Sequence, residues 1–179
     1  YKKLDYLLKS SIVLNMEAIT KKLKVGKIVK IFSIVIIGTI LITISAKIKI
    51  PFYPVPMTMQ TFVVLLLGIS FGYKIGLATV SLYLIEGIAG LPVFSNTPER
   101  GVGLVYFTGP TMGYLIGFLF ASFIAGYINL NKNLFVIFFN LIFSVSFIYI
   151  FGILWLGNII GWDKPIIQLG VKPFLLAEL

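Results

Sequence analysis

The chain has no cysteine and no histidine, and only six carboxylates stand against fifteen lysines and arginines in 179 residues. Without thiols there is no disulfide, iron–sulfur or thiolate-zinc site. Without imidazole the commonest metal ligand and neutral-pH acid–base group is missing. Most metal and nucleophilic chemistries are therefore poor fits. No glycine-rich loop followed by Lys-Ser or Lys-Thr occurs either, so the chain has no phosphate cradle with which to hydrolyse ATP itself.

Apolar residues, by contrast, are abundant. The chain is 59% hydrophobic with a mean hydropathy of +1.04, more than one soluble core of this size can hide. Apolar stretches run over 31–46 between Lys30 and Lys47, 57–73 before Lys74, 75–91 interrupted by Glu86, 110–130 and 134–160. Helices must carry them, because lipid offers free backbone groups no partner and the alternation of a transmembrane strand is absent. From Pro173 onward, 171–179 reads as the opening of a sixth span, cut off after about two turns. The expected fold is all-α: a polytopic membrane protein, a six-transmembrane-helix bundle with its last helix truncated. Residues 1–30 form a basic cytoplasmic leader and 31–179 the transmembrane domain.

The net charge of +9 does not point to nucleic acid. Eight of the fifteen basic residues (Lys2, Lys3, Lys9, Lys21, Lys22, Lys24, Lys27 and Lys30) precede the first span, an orientation signal and a surface that suits anionic lipid headgroups. With that end cytoplasmic, Lys74 and Lys132 also fall inside, and Lys47, Lys49, Arg100, Lys164 and Lys172 fall outside. The prediction is a multi-pass protein of the cytoplasmic membrane with its N-terminus inside. Three connections, near 47–56, 92–109 and 161–172, then face outward. In or next to them lie Pro51, Pro54, Pro56, Pro92, Asn96, Arg100 and Pro110, a clustering of stiff backbone and polar groups that suits a ligand entrance.

Glu86 is the residue that most needs a reason, because a carboxylate within an apolar span is costly. Tyr83, Glu86, Gly87 and Gly90 share one helical face, which should point inward. Glu86 there can meet a substrate's donors, carry a proton or bond a neighbouring helix. Gln60, a turn inside the second span, must find partners on a ligand or another helix. Gly68 and Gly72 further along that span are expected to serve packing. In the fourth span Pro110 suits a first turn capped by Thr108 or Gly109. Gly113, Gly117, Ala121 and Ala125 follow at intervals of four, a stripe that lets a second helix come close.

Taken in order, PVPMTMQT (54–61), LGISFG (67–72), LYLIEGIAGLPVF (82–94), GPTMGYLIGF (109–118) and GVKPFL (170–175) resemble the BioY family, the biotin-specific membrane subunits of energy-coupling-factor (ECF) vitamin transporters. The resemblance covers 31–179. It implies six transmembrane helices with biotin bound near the outer face, and biotin uptake across the cytoplasmic membrane. It also implies partnership with a transmembrane coupling subunit and with ATPase subunits, which alone use ATP. The chain itself is expected to be no enzyme and to need no cofactor.

Biotin has a ureido ring, an apolar thiophane and a carboxylate on an aliphatic tail, so its site needs polar groups, an apolar wall and a cation or donor. Gln60, Asn96, Tyr114 and Glu86 are candidates for the polar part, Tyr53, Tyr83 and Phe94 for the wall, and Arg100 for the carboxylate, with Lys164 and Lys172 as alternatives. Family members carry an acid followed three residues later by a lysine early in the last helix. Glu178 occupies the acidic position, and the chain ends before the lysine. Two other classes fit the sequence less well. A lipid-modifying enzyme using Glu86 needs a second acid, a nucleophile or a metal set, and the other carboxylates, Asp5, Glu17, Glu99, Asp163 and Glu178, lie at ends or in loops. A structural or assembly subunit without its own ligand accounts for the small-residue stripe but not for the polar outer connections.

Overall fold

The structure is a computed structural model that describes the backbone of residues 2–51 and 55–162, with side chains from residue 25 onward. It divides into two units, 1–34 and 35–179. The first unit is helical: it is the N-terminal part of α1, Lys2–Lys47. The second contains the end of α1, a two-strand hairpin, and helices α2 Gln60–Ile88, α3 Leu104–Phe107, α4 Met112–Ala125 and α5 Leu134–Ile160. The described chain is thus almost wholly helical. Three helices among the described residues, Val25–Lys47, Gln60–Ile88 and Leu134–Ile160, are long and apolar enough to cross a membrane.

The second of these is not straight. At Gly72 the backbone takes φ 79° and ψ 167°, a region open in practice only to glycine. Gln60 and Tyr83, which a straight helix would hold about 35 Å apart, are joined by a hydrogen bond of 2.7 Å. A Cβ placed on Gly76 would lie 2.9 Å from the Cα of Gly68. The two limbs, 60–71 and 73–88, therefore run back alongside each other. The expected spans 57–73 and 75–91 are this helical hairpin, with its turn beside Lys74. Gly72 is the hinge, whereas Gly68 serves packing, since a Cβ there would lie 2.6 Å from Ser122 O.

The fourth apolar stretch is shorter as a helix than expected. It does not begin at Pro110: Thr111 is the N-cap, with no side-chain cap bond, and α4 has 14 residues. The reason lies in the preceding segment, where α3 takes up 104–107 and the Trp155 indole N–H donates to Gly109 O at 2.9 Å, holding the turn outside the helix. The small-residue stripe does what its spacing predicts. Added Cβ atoms on Gly113 and Gly117 would collide with the α5 backbone at Phe151 O (2.2 Å) and Ile148 Cα (2.5 Å), while Ala125 at the far end packs near Gly68 of α2. Outward faces carry apolar side chains, among them Ile37, Ile40 and Ile44 on α1 and Phe135, Phe138, Phe139 and Phe143 on α5. Exposure of this kind belongs to a protein solvated by lipid, and the chain is a multi-pass membrane protein.

Beyond α1, Lys49–Ile50 pairs antiparallel with Met57–Thr58, in the register Lys49 with Thr58 and Ile50 with Met57. This short ladder brings the proline-rich connection back to the start of α2, next to the loop that follows it.

Candidate functional site

The loop after α2 is anchored from beneath by a chain of hydrogen bonds. Thr58 Oγ1 donates to Gln60 Oε1 (3.1 Å), Gln60 Nε2 donates to the Tyr83 hydroxyl (2.7 Å), and that hydroxyl donates to Val93 O (3.1 Å). Gln60 is 4% exposed and Tyr83 fully buried, so these bonds supply what water cannot. Within the chain the partners of Gln60 are Thr58 and Tyr83.

Phe94 forms the apolar counterpart. It is fully buried, stacked on Tyr106 (4.8 Å between centroids) and edge-on to Tyr83 (5.3 Å) and Phe107 (5.4 Å). Gly87 makes room for it, since a Cβ there would lie 1.9 Å from Phe94 Cζ. Tyr106 donates to Ser95 O at 2.7 Å. Burial pushes this phenol above its usual range, with Thr111 and Arg100 acting against the rise, so it remains a neutral donor.

Asn96 takes a left-handed conformation, φ 58°, which asparagine tolerates better than most residues. Its Oδ1 accepts from Lys49 Nζ, so its amide offers a ligand the Nδ2 hydrogens. Asn96 and Arg100, with Lys49, Glu99, Pro51 and Pro56, line a cleft of ≈ 260 Å³. Among the described residues its rim holds two cations, Lys49 and Arg100, and one carboxylate, Glu99.

The remaining candidates lie elsewhere. Glu86 Oε1 accepts from Thr39 Oγ1 of α1 at 3.1 Å, and Thr39 is itself buried. Tyr114 lies against Gly152 of α5, where a Cβ would be 2.4 Å from its ring, and its buried hydroxyl has no hydrogen-bond partner among the described residues. Tyr53 and Glu178, with Lys164 and Lys172, lie outside the described residues.

Sequence reasoning passed over Lys47. Its ammonium donates to Pro92 O (2.9 Å), Phe94 O (2.9 Å), Thr97 O (3.2 Å) and Thr97 Oγ1 (3.1 Å). A lysine closing an apolar span reads as a charge reaching for water, and nothing local to it signals a partner 45 residues on.

The same arrangement of helices occurs in a solved protein, described as the S-component for biotin from an ECF-type ABC transporter. The likeness has a TM-score of 0.69 at 29% sequence identity and covers 83% of this chain and 84% of that one. The BioY family model matches residues 16–179. The chain belongs to the BioY family. A probable biotin transporter BioY of Pyrococcus horikoshii is 35% identical over 147 residues, covering 82% of this chain and 86% of its own. The biotin transporter BioY of Thermotoga maritima is also 35% identical, over 144 residues, with 80% and 83% covered. This BioY chain carries the buttressed loop and the cleft beside it within the matched region.

Proposed function

We propose that the chain is the biotin-binding membrane subunit of an ECF-type transporter and serves biotin uptake across the cytoplasmic membrane. The observation that carries this reading is that family membership over 16–179 coincides with likeness to a biotin S-component through more than four-fifths of both chains. On this reading six helices cross the membrane, the lysine-rich end lies in the cytoplasm, and the cleft opens outward. A coupling membrane subunit and ATPase subunits complete the transporter. ATP is used by those partners alone, and this chain binds and releases without catalysis.

Within the site, Asn96 and Arg100 meet the polar end of the vitamin, Tyr53 and Glu178 complete its surroundings, and Tyr114 packs against Gly152 of α5. Gln60, Tyr83 and Phe94 act from beneath by holding the loop. Glu86 is assigned to the contact with α1, where a buried acceptor meets the Thr39 hydroxyl. Equilibrium binding of labelled biotin to the purified full-length protein in detergent tests the proposal. Saturable binding displaced by unlabelled biotin is expected, and no binding by folded protein would overturn it.

A further inference from the structure

The segment 92–97 that carries Asn96 belongs to no helix or strand, and its shape is not maintained by regular backbone pairing. Within it, Phe94 O accepts from both Thr97 Oγ1 (2.7 Å) and Thr97 N (3.4 Å), while Asn96 holds a left-handed conformation. Such a turn brings the carbonyl oxygens of Pro92, Phe94 and Thr97 together on one side, where their partial negative charges repel. Lys47 Nζ sits among them. It has three hydrogens for four acceptors, so at least one hydrogen is shared. Two residues further on, Lys49 takes the Asn96 side-chain oxygen. The last residue of α1 thus holds the loop backbone, and the first residue of the strand that follows holds the side chain that reaches the cleft.

We propose that Lys47 is a positioning residue for the ligand site: its ammonium draws the 92–97 carbonyls into the turn that places Asn96 on the cleft. This deepens the reading of the cleft as the biotin site and rests on it. A lysine that merely ended the span would extend to water or lipid headgroups. This one instead turns its whole donor capacity on a segment 45 to 50 residues away. Removing it leaves three carbonyls facing each other without a cation, so the loop relaxes while the helix-to-helix contacts at Gly68, Gly113 and Gly117 stay as they are.

The test compares wild-type protein with Lys47→Ala and Lys47→Met, both full chain in detergent, by biotin binding and by amide hydrogen exchange. The expected result is at least tenfold weaker biotin binding in both variants, with exchange at least tenfold faster over 93–103 and unchanged in α4 and α5. Propylammonium, which restores an ammonium to the space left in Lys47→Ala, is expected to recover much of the lost affinity, whereas an equal concentration of sodium is not. Wild-type affinity in both variants would overturn the proposal. So would a loss of affinity accompanied by faster exchange throughout the helices, which would make Lys47 a general stability residue. If wild-type protein itself bound no biotin, the functional reading would fail. Unchanged exchange over 93–103 would then reject the clamp separately, and local acceleration there would uphold it.

Discussion

Gly87 and Phe94 form a pair in which the absence of one side chain creates the seat for another. The ring occupies the space of a Cβ and gains aromatic neighbours on three sides. Gly87→Ala is expected to expel the ring and cost about 1–3 kcal/mol, the usual penalty for overpacking, read as a lower thermal midpoint in detergent together with weaker biotin binding. Tyr83→Phe removes a hydroxyl that both accepts from Gln60 and donates to Val93 O, so two buried groups lose their partner. A loss of about 1–3 kcal/mol is expected, and an unchanged midpoint would show that water replaces the hydroxyl. Glu86→Gln keeps an acceptor for Thr39 and, on the proposal that Glu86 serves the contact with α1, is expected to leave biotin affinity within about threefold. A tenfold loss would place the carboxylate on the ligand. At this scale the sequence made the residue types legible but not their partners. Gln60 and Tyr83 stand 23 residues apart, and spacing along a chain does not tell which buried donor meets which acceptor.

At the scale of elements, two glycines of the same helix do different work. Gly68 lets α4 approach, and Gly72 reverses the chain. Gly72→Val is expected to cost about 1–3 kcal/mol through backbone strain alone, because nothing lies within 4 Å of the space its side chain would enter. Gly117→Leu should be worse, because its Cβ already meets the α5 backbone, and backbone cannot step aside as a side chain can. Thermal unfolding of the two variants side by side gives the order, and a fully stable Gly117→Leu would remove α5 as the partner of the stripe. The stripe was legible because repeats of four map directly onto a helix face. The start of α4 was not, because Pro110 suits a first turn by itself and only Trp155, 45 residues further along the chain, holds the segment out of the helix.

For the whole molecule, orientation can be tested with the residue type the chain lacks. With no native cysteine, single substitutions report one position each. In intact cells Val102→Cys is expected to react with a membrane-impermeant maleimide, while Lys132→Cys reacts only after permeabilisation. The reverse pattern would invert the topology that the lysine distribution predicts. That the chain is apolar, helical and embedded in a membrane was determined by the sequence alone, because backbone groups in lipid must be satisfied within each segment and composition reports this locally. The likeness to BioY was equally legible in short ordered motifs. Only the tertiary structure decided that Gln60 and Tyr83 buttress the loop, that Glu86 turns to α1 and that Lys47 closes on three carbonyls. Those pairings depend on which segments come together after the chain reverses at Gly72, and a hydrogen bond between distant residues exists only once both have been brought within about 3 Å of each other.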